Sequence, residues 1–262
     1  MKMKRKAEKM KKYIALLLSA LMVLCLFAGC GTQESETSEP PAAESADPVE
    51  TAGAGETEGG YKFGLTTMGE ASFWDAVEEG VLNVMNEGDE LIFVEGEHGN
   101  AAGQVDIIED FIAQGCDLVF FNPVDADAAT SCLNLLEEAG IPVISFDSAC
   151  TDMSTVETFC ATDNYAAGAL GAYSAITGAG AGADVDLYSV NGGPEAKAKM
   201  LADGEEGVWR ATSAQQPIKM GETICELAYQ YLAGEELESE YLIDAFIISP
   251  ANIEEYAGRD WQ

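Results

Sequence analysis

The chain has 262 residues, 47% of them hydrophobic, and a formal net charge of −33. Residues 1–30 hold seven of the 13 basic residues, so the remainder carries 6 basic against 45 acidic side chains. Such a surface repels phosphates and anionic lipids, which excludes nucleic-acid binding and electrostatic membrane binding. Its hydrophobic content is too high for a disordered acidic chain, so we predict an acidic globular domain behind a basic leader.

The leader has the layout of a signal peptide. Residues 1–12 are rich in Lys, and residues 13–27 form an apolar run of about 15 residues, shorter than the ~20 that span a membrane. The run ends in F-A-G-C at 27–30, which resembles the bacterial lipobox, although Phe27 stands where a lipobox usually has Leu. The resemblance implies a lipoprotein signal peptide at 1–30, lipidation at Cys30 and an extracytoplasmic protein held at the membrane through this lipid. An ordinary signal peptide or a short membrane anchor is the alternative.

Residues 31–60 form an acidic linker. They contain eight acidic residues, no basic residue and no aromatic residue. A segment of this composition buries too little apolar area to offset the entropy of ordering. We therefore predict a disordered tether between the leader and the globular part.

The first half of the globular part repeats one pattern. Apolar, strand-like runs lie at 61–66, 91–94, 118–121 and 143–146, and their starts are 30, 27 and 25 residues apart. Helix-period segments separate them, the first beginning with a Ser72/Asp75 capping box and burying Phe73 on its apolar stripe. Alternating strands and helices predict an α/β fold with a doubly wound parallel sheet. No Gly-rich phosphate loop follows the first strand, which disfavours a nucleotide site.

Cysteine and histidine give no sign of catalysis or metal binding. Five cysteines beyond the leader are irregularly spaced without a C-x-x-C pair, and His98 is the single histidine. We interpret the cysteines as small buried apolar residues and His98 as a surface residue. No metal, cofactor or catalytic residue is predicted, and the protein is expected not to be an enzyme.

Ligands of parallel α/β sheets bind beyond the carboxyl ends of the strands. The segments at these positions are 66–74, 95–100, 122–127, 147–150 and 163–164. They contain aromatic, carboxylate and amide side chains, which points to a binding site rather than to a structural surface alone.

Several of these segments resemble those of type I periplasmic binding proteins of the ribose/galactose type. The motifs are F-W at 73–74, V-F-F-N-P-V-D at 119–125, I-P-V-I-S-F-D at 141–147, A-T-D-N-Y-A-A-G at 161–168, V-N-G-G-P at 190–194 and T-S-A-Q-Q-P at 212–217. The likeness spans residues 61–255. It implies two lobes hinged by three crossovers, a sugar ligand in the cleft between them, and delivery of the sugar by a monomer to the permease of an ABC transporter.

The resemblance also implies which residues contact the sugar. Carried over position by position, they are Phe73, Trp74, Asp147, Asp163, Asn191 and Gln215. Carboxylates and amides suit vicinal hydroxyls, and aromatic rings suit the C–H face of a sugar. We expect Trp74, which lies off the apolar stripe, to stack on the ligand, while Phe73 is partly core. Ser148 stands where the family has a basic residue.

The chain departs from this family in length. Residues 61–262 amount to 202 residues, short for two lobes of ~100–150 each. A-L-G-A at 169–172 resembles a helix that the family places much later, so several βα units of the second lobe are predicted to be missing. We expect a complete first lobe (61–163 and 216–240), onto which a return helix at 217–232 packs. The reduced second lobe comprises 164–215 and 241–262.

Other interpretations remain open. Asp147 and Asp163 are equally suited to cap helices or to lie in solvated loops. As a carboxylate pair they suggest a glycosidase, which no other motif supports. A truncated remnant or a sensor module with impaired sugar binding is the main alternative to transport.

Overall fold

The computed structural model describes residues 60–178 and 186–262. The predicted signal peptide, Cys30 and the tether up to residue 59 lie outside these residues. The first part of the domain contains β1 (Lys62–Thr67), α1 (Ser72–Val84), β2 (Glu90–Glu95), α2 (Ala101–Gln114), β3 (Leu118–Phe121), α3 (Ala129–Ala139), β4 (Val143–Phe146) and β5 (Thr158–Thr162). The remainder contains α4 (Asn164–Gly178), β6 (Leu187–Asn191), α5 (Pro194–Asp203), β7 (Trp209–Ala214), α6 (Pro217–Leu232), β8 (Glu240–Ile243) and β9 (Phe246–Ile248).

Six parallel strands form the larger sheet, in the order β2-β1-β3-β4-β5-β8. The predicted α/β doubly wound fold is therefore confirmed, and β3 and β4 have the predicted bounds. We call this sheet, with α1, α2, α3 and α6, lobe 1.

Helices cover both faces of the lobe 1 sheet. Along β3, Leu118 and Phe120 pack on the α1 and α6 side, whereas Val119 and Phe121 pack on the α2 and α3 side. All four residues are fully buried. A continuous apolar run of this kind is what a parallel strand between two helical layers requires.

The return helix α6 has the predicted bounds and packs against α1. The helices approach closely at Gly80 and Gly221, where an added methyl group would overlap the backbone oxygens of Ile218 and Val77. Two glycines therefore set the distance between α1 and α6.

The smaller sheet has three strands, in the order β6-β7-β9, with β9 antiparallel to β7. We call this sheet, with α4 and α5, lobe 2. Its core contains Met200, Ala214, Ile248 and Ile253. Within the described residues, lobe 2 therefore has half as many strands as lobe 1, in agreement with the predicted reduction.

The chain passes between the lobes three times, after β5, after β7 and after β8. The predicted boundary at 240/241 falls within β8, which pairs with β5 of lobe 1. That strand was missed because its residues Glu240 to Ile243 alternate in exposure and form no continuous apolar run.

The five cysteines of the described domain are buried and unpaired. Burial raises the pKa of Cys116, Cys132 and Cys150 to about 11 and that of Cys160 and Cys225 to about 12. These thiols are inert packing residues, as expected. None of the described helices is both long and apolar enough to cross a membrane.

Candidate functional site

A cleft of about 380 Å³ lies where the two lobes meet. It is lined by Ala71, Phe73, Trp74, Asp147, Ser148, Asn164, Asn191 and Gln215. Five of the six predicted ligand residues thus lie around one cavity, and Asp163 does not. Ala71, Ser148 and Asn164 also line the cleft; they lie in the predicted strand-end segments but were not among the predicted ligand residues.

Strand ends bring these residues together. Three of the cleft residues follow strands of the lobe 1 sheet: Ala71 comes after β1, Asp147 after β4 and Asn164 after β5. Asn191 ends β6, and Gln215 follows β7 of lobe 2. Both sheets therefore direct the carboxyl ends of their strands at the same cavity, the position where open α/β sheets bind ligands.

Asp147 is the one charged residue among those that line the cleft. Its carboxylate accepts a hydrogen bond from Ser148 Oγ at 3.0 Å, and its backbone N–H donates to the Cys160 carbonyl at 2.9 Å. Burial raises the pKa of Asp147, and the bond from Ser148 partly opposes this rise. A buried carboxylate with a single side-chain donor retains acceptor capacity for further hydroxyl groups.

Backbone strain concentrates at the cleft. Asp147 has a φ of 59° and Asn191 a φ of 95°, and they are the two non-glycine residues with positive φ in the described parts of the chain. Strained backbone of this kind persists where the surrounding structure enforces it, often at functional sites. The two strained residues come from different lobes and face the same cavity.

Phe73 and Trp74 form the aromatic wall. Their rings meet edge to face at 4.8 Å. Trp74 is only 6% exposed and packs in the lobe 1 core near Phe146, whereas Phe73 is half-buried. The expectation that Phe73 is the more buried ring was wrong, because the buried face of α1 runs through Trp74, Val77 and Val81.

Amide groups line the lobe 2 side of the cleft. Gln215 Nε2 donates to Asn164 Oδ1 at 3.3 Å, and the Gln215 backbone N–H donates to the Asn191 carbonyl at 3.0 Å. Asn191 and Asn164 are exposed. Their side chains present both donors and acceptors to the cavity.

Asp163 caps α4 instead of lining the cleft. Its carboxylate accepts a hydrogen bond from the Ala166 backbone N–H at 2.7 Å, which is the usual N-cap geometry. Its own backbone N–H donates to the Ile243 carbonyl at 2.9 Å. The cleft therefore has a single carboxylate and lacks the pair that a glycosidase uses.

Asn122 of the N-P-V-D motif has a supporting role that the sequence did not reveal. It is fully buried, accepts from the Met68 N–H at 2.8 Å and donates to the Phe146 carbonyl at 3.1 Å. Gln104 Nε2 donates to the Asn122 carbonyl at 2.9 Å. Asn122 thereby connects the ends of β1, β3 and β4 and supports Asp147. An amide directly after a fully apolar strand is the signal that could have pointed to it.

The predicted capping box at Ser72 and Asp75 is wrong. Helix α1 has Ala71 at its N-cap, without a side-chain hydrogen bond to the helix. The Ser72 hydroxyl instead accepts a hydrogen bond from Trp261 Nε1 at 3.2 Å. The Ser72 hydroxyl is thus used in a long-range hydrogen bond and not in the helix cap that the local pattern predicted.

A larger groove, about 640 Å³, lies between α1, α6 and residues 258–261. It contains the carboxylates of Asp75, Glu79, Glu222 and Asp260 but no predicted ligand residue. No group of His, Cys, Asp or Glu in the described residues has the arrangement of a metal site. We assign the functional site to the smaller cleft because strain, aromatic rings and convergent polar groups coincide there.

The cleft suits a small uncharged molecule with several hydroxyl groups. One carboxylate, three amides and a hydroxyl surround it, and an aromatic wall closes one side. Such a set recognises hydrogen-bonding ligands by position, without a charged group for an anionic substrate to pair with.

Residues 62–185 match the family described as periplasmic binding protein domain. The match takes in 124 of the 262 residues, just under half of the chain. The matched segment covers most of lobe 1 and α4, and it ends before β6.

A curated protein with sequence similarity to this chain is the ribose import binding protein RbsB of Bacillus subtilis (strain 168). The two are 29% identical over 122 residues, which make up 46% of this chain and 39% of the relative. The chain thus aligns with well under half the length of that protein.

Solved structures share the fold of this chain. A solute-binding protein of an ABC transporter from Mycobacterium smegmatis, with bound glycerol, superposes with a TM-score of 0.68 at 18% identity. One from Bacillus halodurans C-125, with bound myo-inositol, gives a TM-score of 0.60 at 17% identity. Each alignment covers 78% of this chain and 99% of the other. The fold is that of the type I periplasmic binding proteins.

Proposed function

We propose that the protein is an extracytoplasmic solute-binding lipoprotein that captures a sugar or polyol between its lobes and delivers it to the permease of an ABC transporter. The observation that carries this proposal is the cleft, in which strand ends from both lobes direct aromatic, carboxylate and amide side chains at one cavity. Solute-binding proteins with the same fold hold myo-inositol, glycerol and D-fucose.

Ligand recognition would divide between the lobes. In lobe 1, Asp147 accepts hydrogen bonds from neighbouring hydroxyls, and Phe73 packs against the C–H face of the ligand. Across the cleft, Asn191 and Gln215 add donors and acceptors. Asn164 takes the ligand-binding role that the sequence predicted for Asp163. Hydrogen bonds to the charged carboxylate contribute about 1.5–3 kcal/mol each in such a site.

The leader supports an extracytoplasmic location. A basic segment, an apolar run of about 15 residues and the F-A-G-C sequence at 27–30 favour lipidation at Cys30. The acidic tether would then hold the binding domain away from the bilayer while keeping it near a membrane permease.

The reduced lobe 2 gives a second possibility. Its sheet has three strands against six in lobe 1, and we infer that βα units are missing between α4 and β6. A chain that has lost these units would keep the Asp147 side of the cleft and lose contacts from the other side. Impaired binding, in a remnant or a sensor module, is therefore the alternative.

Calorimetry on the purified full-length protein tests the proposal against D-ribose, D-galactose, D-fucose, myo-inositol and glycerol. We expect at least one ligand to bind. Asp147→Asn should weaken it roughly 10- to 100-fold, because a charge-assisted hydrogen bond is lost. Phe73→Ala should weaken it by roughly 2- to 12-fold through loss of ring contact. Trp74→Ala is less informative because Trp74 also belongs to the core.

Matched variants control for indirect effects. Asp110→Asn changes an exposed carboxylate on α2, and Leu82→Ala changes an exposed apolar residue on α1. Both should bind like the unmodified protein. A folded protein that releases no binding heat with any of the five compounds would refute capture of these polyols and favour the remnant.

A further inference from the structure

Residues 258–262 cross from one lobe to the other. The segment contacts α1 of lobe 1, α5 of lobe 2 and the crossover after β7. We call residues 258–262 the strap. None of its residues was a predicted ligand contact.

Trp261 attaches the strap to lobe 1. It is 9% exposed, and its Nε1 donates to Ser72 Oγ at 3.2 Å. Its ring meets Phe73 edge to face at 5.3 Å. The ring of Phe73 that lines the cleft is therefore held between Trp74 and Trp261.

Lys197 and Gln262 attach the strap to lobe 2. Lys197 is 3% exposed, and its Nζ donates to the Arg259 carbonyl at 2.7 Å and to Gln262 Oε1 at 3.1 Å. A buried ammonium group is costly unless its protons are bonded. The strap supplies two acceptors for the Lys197 ammonium group, so these hydrogen bonds attach the strap to lobe 2.

The same glutamine reaches the cleft. Gln262 Nε2 donates to the Gln215 carbonyl at 2.7 Å. Glycines make room for the strap beside Asn191: a methyl group on Gly192 would lie 2.9 Å from Gln262 Nε2, and one on Gly193 would lie 3.3 Å from the Trp261 ring. Apart from those with Lys197, these strap contacts are made with a cleft residue or its immediate neighbour.

We propose that the strap fixes the two lobes relative to each other and that Trp261 and Gln262 are positioning residues for the cleft. Trp261 supports Phe73 from behind, and Gln262 holds the turn that carries Asn191 against Gln215. The connection between the lobes does not depend on which ligand binds. The effect on the cleft side chains rests on the proposed function.

Interlobe distances measured without ligand test the proposal. Spin labels would be placed by Glu109→Cys on α2 and Ala202→Cys on α5, both exposed positions, with Cys25 and Cys30 changed to Ser. The five cysteines of the described domain are buried. We expect one narrow distance distribution, which Trp261→Ala and Gln262→Ala broaden and shift to longer distances.

Two further variants show whether the effect is specific. Trp209→Ala removes a tryptophan that packs against the core of lobe 2, and the distribution should not change. Trp261→Phe keeps a ring beside Phe73 and should restore most of the narrow distribution. Folding of each variant is checked by circular dichroism.

Unchanged distributions in folded Trp261→Ala and Gln262→Ala proteins would overturn the proposal. Where a sugar binds the unmodified protein, we also expect Trp261→Ala to weaken it and Trp261→Phe to recover affinity. Absence of any sugar binding would count against the proposed function and leave the distance result intact, so the two failures can be told apart.

Discussion

Asp147 combines a left-handed backbone, a buried carboxylate and one hydroxyl donor, Ser148. In the folded protein its pKa lies above the ordinary value, because burial disfavours the charged form. Between the ordinary and the raised pKa, the folded state binds more protons than the unfolded state. The free energy of unfolding therefore contains a contribution from Asp147 that is present at low pH and is lost as the pH rises through the raised pKa.

Removing this charge should stabilise the protein at neutral pH. We expect Asp147→Asn to have a higher melting temperature than the unmodified protein at pH 7 and nearly the same one at pH 3, where both side chains are uncharged. Thermal unfolding at the two pH values measures the difference.

The comparison with Asp110→Asn removes the general effect of lowering the negative charge. That exposed variant should change the melting temperature much less at pH 7. If Asp147→Asn shifted the melting temperature equally at pH 3 and pH 7, ionisation of Asp147 would not be the cause.

At the residue scale, the sequence located the strand ends that form the cleft, but it did not always distinguish which of two adjacent residues faces the cavity. Asp147, Asn191 and Gln215 line the cleft, whereas Asn164 takes the place predicted for Asp163. An Asp at the start of a helix suits a cap and a ligand site equally, and only the position of the Ala166 N–H separates the two. The burial of Phe73 and Trp74 was predicted the wrong way round for a similar reason. Adjacent residues of a helix point about 100° apart, so a shift of one position moves the predicted buried face from Trp74 to Phe73.

At the scale of elements, apolar runs predicted the first strands, but not which helices contact each other. The bounds of β3, β4 and α6 follow from the sequence because both faces of the sheet are covered and the core pattern is continuous. The strand β8 and the contact between α1 and α6 depend on distant parts of the chain. Local periodicity carries no information about them.

The contact between α1 and α6 should not tolerate a side chain. We expect Gly221→Ala to lower the free energy of unfolding by about 1–3 kcal/mol, because its methyl group would overlap the Val77 carbonyl and force the helices apart. Urea denaturation monitored by circular dichroism measures this loss.

Gly171→Ala is the matched control. Gly171 lies in α4 with no atom within 4 Å of an added methyl group. In an open helical position the same change stabilises by up to about 1 kcal/mol through helix propensity. Two Gly→Ala changes of opposite sign would separate close packing from propensity, and equal effects would contradict the role given to the glycine contact.

For the whole molecule, the charge of the chain and its attachment belong together. A strongly acidic domain is repelled by anionic lipid, so stable attachment would depend on acyl chains, each contributing about 0.8 kcal/mol per buried CH₂. In bacteria given labelled palmitate, we expect the protein to take up label and to enter the detergent phase, and Cys30→Ser to abolish both.

Cys25→Ser serves as the control for this experiment, because Cys25 lies inside the apolar run of the leader. That variant should remain labelled. An unlabelled protein, or equal loss of label in both variants, would contradict lipidation at Cys30.

The part of lobe 2 from α4 to β7 is an insertion into lobe 1, and β9 joins it after β8. The chain leaves lobe 1 after β5 and returns at α6, and Asn164 and Gln215 at the two ends of the insertion are joined by a 3.3 Å hydrogen bond. The entropy of closing such an excursion grows only with the logarithm of its length. The inserted part of lobe 2 can therefore change in length while lobe 1 folds from the same flanking segments, which lets one side of a binding site diverge while the other is preserved.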